Sequence, residues 1–218
     1  MIKKVFDFTF SLIGIILSLP VWFLISLAIL IEDGWPVLYS QERMGKGCRI
    51  FKVFKFRSMV KDAEKHTGPI QASEDDLRVT KVGRVLRILA MDELPQLINI
   101  LLGDISFVGP RALRVEEKEV FDNSLRSVSD YPHFQKRVEI EPGLTGVAQV
   151  FAPRDIPRKD KFEYDIWYIN NRGFWLDIYL IILSFLITFR GKWELRSAKF
   201  SILGLRLKEK IESQLGES

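Results

Sequence analysis

The chain is poor in the residues that form disulfides and tight metal sites. One cysteine, Cys48, is all that 218 residues contain, so no internal disulfide can form, and this usage suits a reducing compartment. Two histidines, His66 and His133, are too few for a zinc or His-based iron site. A bound metal is expected to be Mg²⁺ or Mn²⁺, held by carboxylate, phosphate and water. Strong net charge is also missing: 32 basic residues face 28 acidic ones, a net +4. With no C₂H₂ spacing, no RNP-like motif and no long basic run, nucleic acid is not an expected partner. There is no internal repeat and no low-complexity tract. A mild basic excess beside an apolar N-terminus fits an anionic membrane surface or a phosphorylated substrate. The length allows one domain, or one domain plus a membrane element, with a core of ordinary size.

Charge is absent altogether from Phe8 to Ile31, a run of about two dozen residues that suffices to span a bilayer as a helix. A cleaved signal peptide fits the Lys3-Lys4 start, but the run is too long and lacks a small-x-small exit. A signal anchor is the stronger alternative. Pro20, in the middle of the run, removes a backbone hydrogen bond and bends a helix. Basic residues flank both sides, Lys3 and Lys4 before, then Arg43, Lys46, Arg49, Lys52, Lys55 and Arg57 after. The positive-inside rule reads both ends as cytoplasmic. A helix broken at Pro20 enters one leaflet and returns, with Ser18 helping to satisfy the freed carbonyls. Re-entrant and spanning readings both stand on composition.

Beyond Trp35-Pro36, VLYSQERMGKGCRIFKVFKFRSMV predicts two short strands around Gly45-Lys46-Gly47. Lys52, Lys55 and Arg57 alternate with apolar residues and predict a basic strand face, either solvated or in contact with phosphate. Lys61 to Asp76 is polar and carries Gly68-Pro69, which predicts a surface loop. A helix is expected from about Thr80 to Leu89, with Arg84 and Arg87 on adjacent turns of one face. A second follows from Glu93 to Leu102. Arg114 to Asp130 is charged and reads as helical. Glu141 to Gly146 is a turn-rich loop before strand-like VAQVF, and Lys161 to Asn171 is helical. FWLDIYLIILSFLITF, between Arg172 and Arg190, is short for a crossing and fits an interfacial amphipathic helix or a buried one. The tail with Arg206, Lys208 and Lys210 reads as a frayed or surface helix. The expected units are 1–34 in the membrane, 35–190 as a cytosolic catalytic domain with interfacial helices, and 191–218 as a tail.

The most telling stretch is RVLRILAMDELPQLINILLGDISFVGPR. Asp92 and Glu93 sit in an apolar run, where acids are costly to bury unless paired, hydrogen-bonded or bound to a cation. Asp92 fits an N-cap, with Pro95 tolerated in the first turn and Gly103 as the stop. Such a helix start also favours an anionic ligand such as phosphate. The plain alternative is a cap with solvated neighbours; Arg84, Arg87 and Gly109-Pro110-Arg111 weigh against it.

In order, KFRSM, RVTKVGRVLR, the Asp92-Glu93 block, GDISFVGPR and PGLTGVAQV resemble the motifs of the bacterial monotopic phosphoglycosyl transferases. The resemblance runs from the N-terminal apolar segment to about Arg190. It implies an α+β, mostly helical fold. A re-entrant helix broken at Pro20 and interfacial amphipathic helices would lie below a small cytosolic globule with a β-hairpin, at the cytoplasmic face of a bacterial inner membrane. It implies transfer of a sugar-1-phosphate from a UDP-sugar to polyprenyl phosphate, with release of UMP, among membrane phospholipids. Asp92 would be the nucleophile and a ligand of Mg²⁺ or Mn²⁺, Glu93 its catalytic companion, and Arg87, Arg111 and Lys55 contacts to substrate phosphate. Carboxylate nucleophiles suit such chemistry because an acyl phosphate is itself reactive.

Three positions depart from the family pattern and two more extend it. Its Ser-Pro pair is here Ser18, Leu19, Pro20; the proline after GPR is Ala112; and the tryptophan of its PG-x-TGWAQ is Val147. Asp165 and Tyr168 match a late DxxYxxN, read either as structural hydrogen bonds or as site contacts. Two other readings remain: a non-catalytic membrane-tethered adaptor on the same fold, and a bitopic enzyme with its N-terminus outside.

Overall fold

Thirty-two residues, Ile2–Asp33, form a single helix, α1, in the computed structural model, which describes residues 2–63, 76–115, 118–121, 124–153, 156–189, 209 and 211–215. It is the one helix among the described residues long and apolar enough to cross a membrane. The expected break at Pro20 does not interrupt it. Proline at this position frees the carbonyl of Ile16, four residues back. Ser18 does not reach that group: its Oγ donates to Gly14 O at 2.6 Å and Ile15 O at 3.2 Å, in the turn before. One stripe of α1 packs inward. Ile25 and Ile29 are buried with Val37, Phe56 and Leu86, while Ile15 packs on Leu97 and Ile100. The opposite face is apolar and open, with Phe8, Leu17, Phe23, Leu24 and Ile31 all more than half exposed.

Both ends of α1 are tied to the same globule. Near its start, Lys3 Nζ lies 2.5 Å from Asp177 Oδ2 and donates to Val108 O and the Tyr168 hydroxyl. At its end, Glu32 accepts from the backbone N–H groups of Lys81 and Val82 at 2.7 and 2.8 Å. Those are the first residues of α2, Lys81–Ile88, so the last turn of α1 caps the next helix and complements its dipole. Thr80 completes the cap by accepting from Gly83 N. Arg57 donates to the carbonyls of Asp33 and Gly34 and pairs with the Asp33 carboxylate at 2.8 Å.

The predicted hairpin is present: β1, Leu38–Met44, pairs antiparallel with β2, Ile50–Phe56, and β4, Leu113–Arg114, extends the sheet on the other edge of β1. The single basic face is corrected. Strand side chains alternate with a period of two, so Lys52 shares its face with Phe54 and Phe56, and Lys55 shares the other with buried Phe51 and Val53. Gly83 brings α2 against the end of β2 backbone to backbone; a Cβ there would sit 2.0 Å from Ser58 O.

Further on, α3, Gln96–Leu102, ends at Gly103 in the left-handed region, as its stop signal predicts. Fully buried Asn99 fastens it to the sheet, accepting from Phe54 N and donating to Lys52 O. β3, Ser106–Val108, pairs in parallel with β7, Gly143–Thr145. The helix expected from Arg114 to Asp130 is replaced by β4, by β5 at Lys118–Phe121 pairing with β6 at Ser124–Ser127, and by one 3₁₀ turn. Charge content without a 3.6-residue apolar stripe does not specify a helix. The short helix α4 spans Phe134–Arg137. VAQVF is likewise a helix, α5 at Val147–Phe151, which buries Val147 and Val150.

α6, Arg158–Asn171, and α7, Phe174–Phe189, complete the main core with α5. α7 is two-faced: Leu180, Leu183 and Ile187 are buried, whereas Trp175, Ile182 and Phe185 are exposed. The described part of the tail, 211–215, is no loose surface helix, since Ile211 is fully buried and Trp167 Nε1 donates to Gln214 at 2.6 Å. Most of the Lys61–Asp76 loop, His66, Arg190, Arg206, Lys208 and Lys210 lie outside the described residues.

Candidate active site

Asp92 and Glu93 lie in a 3₁₀ turn, Met91–Glu93, between α2 and α3. The expected N-cap role for Asp92 is corrected: Pro95 occupies that position, and Asp92 makes no side-chain cap bond. What turns the chain is Ala90, with φ +50°, a left-handed residue between the two helices. The turn is held to α2 and β2 by Leu94 and Met91, which pack on Phe56 and Leu86.

The two acids have different surroundings. Lys55 Nζ donates to Glu93 Oε1 at 2.5 Å, and Arg111 Nη2 approaches the same oxygen at 3.6 Å. Asp92 is nine-tenths buried, and no hydrogen bond or ion pair engages its carboxylate among the described residues. Their protonation follows from this. Burial, the largest effect, lifts the Asp92 carboxyl to about 6; Lys55 opposes that, the Glu93 charge adds to it, and Arg87 and Arg111 oppose it further. Burial also pushes Glu93 up, but Lys55 and Arg111 outweigh it and hold this carboxyl at about 2. One acid is a fixed counter-ion; the other is poised near neutrality without a partner.

Of the predicted phosphate contacts, Lys55 and Arg111 converge here. Arg87 is near enough to act on Asp92 electrostatically but donates from Nε to Ser58 Oγ at 2.9 Å. Arg84 is exposed on α2 and joins nothing in the site. An open depression beside Lys55, the partner of Glu93, is lined by Arg43, Lys55, Gln96, Arg111, Ala112 and Gly143 among others. Ala112 therefore borders the site, whereas Val147, only 1% exposed, contributes core packing and no site surface.

The turn bearing Arg111 is locked by its backbone. Gly109 N donates to Thr145 O at 2.9 Å, and Gly143 N donates to Pro110 O at 2.8 Å. A Cβ on Gly143 would lie 2.0 Å from Gly109 N, so only glycine permits this approach. Asp165 and Tyr168 prove to be interior links. Asp165 accepts from Arg137 Nε at 2.7 Å, and the Tyr168 hydroxyl donates to Asp177 Oδ1 at 2.7 Å. Arg137 and the Lys3–Asp177 pair escaped the sequence reading. The one available signal was Asp177 itself, a lone acid in an apolar run that demands a buried counter-ion.

Residues 1–191 match the family model described as bacterial sugar transferase. The chain belongs to the bacterial sugar transferase family. Similar family members include the UDP-N-acetylgalactosamine-undecaprenyl-phosphate N-acetylgalactosaminephosphotransferase of Aeromonas hydrophila, 38% identical over 83% of this chain and 42% of its own length. The undecaprenyl-phosphate glucose phosphotransferase of Komagataeibacter xylinus is 37% identical over 84% of this chain and 35% of its own. The uncharacterized sugar transferase EpsL of Bacillus subtilis is 34% identical over 84% of this chain and 85% of its own. The chain thus spans less than half the length of the first two and most of the third.

Proposed function

We propose that the chain is a phosphoglycosyl transferase that moves a sugar-1-phosphate from a UDP-sugar to polyprenyl phosphate. The observation that carries the reading is the unpartnered, buried Asp92 carboxylate beside the Lys55–Glu93–Arg111 cluster. In the first step an Asp92 oxygen attacks the phosphorus that bears the sugar. The bond from that phosphorus to the UMP phosphate breaks, leaving a sugar-phospho-Asp92 and releasing UMP. In the second step an oxygen of polyprenyl phosphate attacks the same phosphorus. The acyl-phosphate bond breaks, Asp92 is regenerated, and a polyprenyl diphosphate sugar leaves. Even with its carboxyl raised to about 6, Asp92 is mostly ionised at neutral pH, and no protein cation among the described residues pairs with it.

Lys55 and Arg111 offset the negative charge gathered by two phosphorylated substrates. Glu93 positions Lys55, and ligand phosphate competes for that cation. Among the described residues no three acidic, histidine or cysteine side chains cluster. One free carboxylate is nonetheless the donor set that suits Mg²⁺ completed by substrate phosphates and water. Asp92 would hold it, and when bound it would supply further neutralisation of phosphate charge.

The apolar outer faces of α1 and α7 suit a lipid surface, and both ends of α1 contact one globule, which supports placing both ends of α1 on the cytoplasmic side, although the helix itself is unbroken. A perpendicular crossing would carry one end away from the globule. Similar proteins are named for N-acetylgalactosamine, glucose and galactose, so the sugar is a matter for assay. UMP release is measured from a panel of UDP-sugars with Mg²⁺ and undecaprenyl phosphate. The expected result is turnover with at least one sugar, abolished in Asp92→Asn. Substantial UMP release by folded Asp92→Asn removes the covalent route, and none from the parent with any sugar favours the adaptor reading.

A further inference from the structure

The carbonyls of Gly109, Pro110 and Arg111 are each held from a different element. Gln149 Nε2 of α5 donates to Gly109 O at 3.3 Å, Gly143 N of β7 to Pro110 O at 2.8 Å, and Arg137 Nη2 of α4 to Arg111 O at 3.0 Å. The third contact differs in kind. Arg137 is a charged side chain only 4% exposed, far costlier to bury than an amide. Its Nε is paired with Asp165 of α6 at 2.7 Å, and its guanidinium lies 4.1 Å from the centre of the Phe162 ring. Asp165 is itself only 3% exposed and Phe162 1%. An ion pair of this sort adds little to stability compared with apolar residues of the same volume. A plain cation–carboxylate contact would not need the second arm either. That arm ends on the backbone of Arg111, the arginine whose side chain approaches Glu93.

We infer that Arg137 and Asp165 form a positioning pair that aims Arg111 at the phosphates of the nucleotide sugar, acting through the Arg111 carbonyl and touching no substrate. This rests on the transferase reading for the identity of the ligand. Arg111 has two duties that pull against each other. Its side chain is about half exposed and free to swing between Glu93 and a ligand, while its backbone must stay fixed for that swing to end in register. Arg137 supplies the fixed end with a planar fork, one prong for Asp165 and one for the carbonyl. Lysine keeps the charge that Asp165 needs but cannot span both acceptors in the same plane.

The test is a double-mutant cycle read on UDP affinity by calorimetry and on kcat and KM for UMP release. Arg137→Lys is expected to weaken UDP binding and lower kcat/KM by about tenfold, the size of effect that small misplacement produces. In an Arg111→Ala background the same change is expected to cost less than about twofold, because its target is gone. Equal losses in both backgrounds overturn the inference, since a general packing defect would be additive. UDP affinity unaffected by Arg111→Ala overturns it too. Where Arg137→Lys fails to give a cooperative melt, Arg137→Gln with Asp165→Asn removes both charges together and runs through the same cycle. A parent protein that binds UDP but releases no UMP from any donor sinks the transferase reading alone. The cycle on UDP then still decides the positioning role.

Discussion

Lys55 Nζ sits 2.5 Å from Glu93 Oε1, and this ion pair leaves Asp92, the adjacent residue, without a counter-ion of its own. A lysine can neutralise only one carboxylate fully at that distance. The choice of Glu93 leaves the neighbouring acid with no ion pair among the described residues, the state the proposed nucleophile requires.

Glu93→Gln should therefore change the protonation of Asp92 rather than merely empty a contact. The Glu93 charge raises the Asp92 carboxyl, and Lys55 and Arg111 lower it. Without Glu93, the repulsion disappears and both cations are released toward Asp92. The acid limb of kcat/KM against pH is expected near 6 in the parent and at least about one unit lower in Glu93→Gln. Maximal turnover is expected to fall as well, because Asp92 becomes a weaker, paired nucleophile. An acid limb that stays in place removes Glu93 from control of Asp92.

Stability should depend on pH through the same carboxyl. Its folded value of about 6 lies above the ordinary carboxylate value of 3.8. The folded state thus binds the proton more tightly, so this contribution is fully present below the unfolded value and lost as pH rises through about 6. Asp92→Asn never ionises. It is expected to be more stable than the parent by about 3 kcal/mol at pH 7.5 and by less than about 1 kcal/mol near pH 4, as read by denaturant unfolding in detergent.

Gly83→Ala sets two effects against each other. Alanine in a helix interior ordinarily gains about 1 kcal/mol over glycine. Here the new Cβ would meet Ser58 O at 2.0 Å, backbone against backbone, and overpacking of this kind costs about 1–3 kcal/mol or more. The collision wins. A lower melting temperature is expected, with weaker UMP release as α2 moves off β2; a stabilised variant would contradict the close contact.

Lys3→Met tests the attachment at the start of α1. Lys3 is partly exposed, so its direct contribution is screened. The larger cost, about 2 kcal/mol, comes from leaving Asp177 buried without a counter-ion. Lys3→Met combined with Asp177→Asn should recover part of that loss in thermal unfolding. Topology is read separately by thiol labelling of a cysteine placed at Lys4 in a Cys48→Ser background. Protection from periplasmic reagent is expected, and labelling from outside contradicts the re-entrant reading.

Much of this was legible in the residues. The hairpin, the two helices around Asp92, the Gly103 stop and the length of α1 all follow from periodicity and caps. The failures share a cause: tertiary partners that sequence spacing does not reveal. Asp92 looked like a cap because it precedes a helix, yet Pro95 took that place and left the carboxylate unbonded. VAQVF alternates weakly enough to pass for a strand, but burial of Val147 and Val150 in the α6–α7 core makes it a helix. Lys52 and Lys55 seemed to share a face until their separation of three was set against the two-residue period of a strand. Arg137 carried no local signal at all; its role arises only when α4, α6 and the Arg111 turn meet.

Glu32 gives α1 a mechanical meaning. Its carboxylate grips the first N–H groups of α2, and α2 leads directly to the turn with Asp92. With α1 seated in lipid, the altitude of the Asp92 carboxylate above the hydrocarbon is set by a stiff lever rather than a slack tether. Any shift of α1 at a lipid surface would then carry the Asp92 turn with it by the same step.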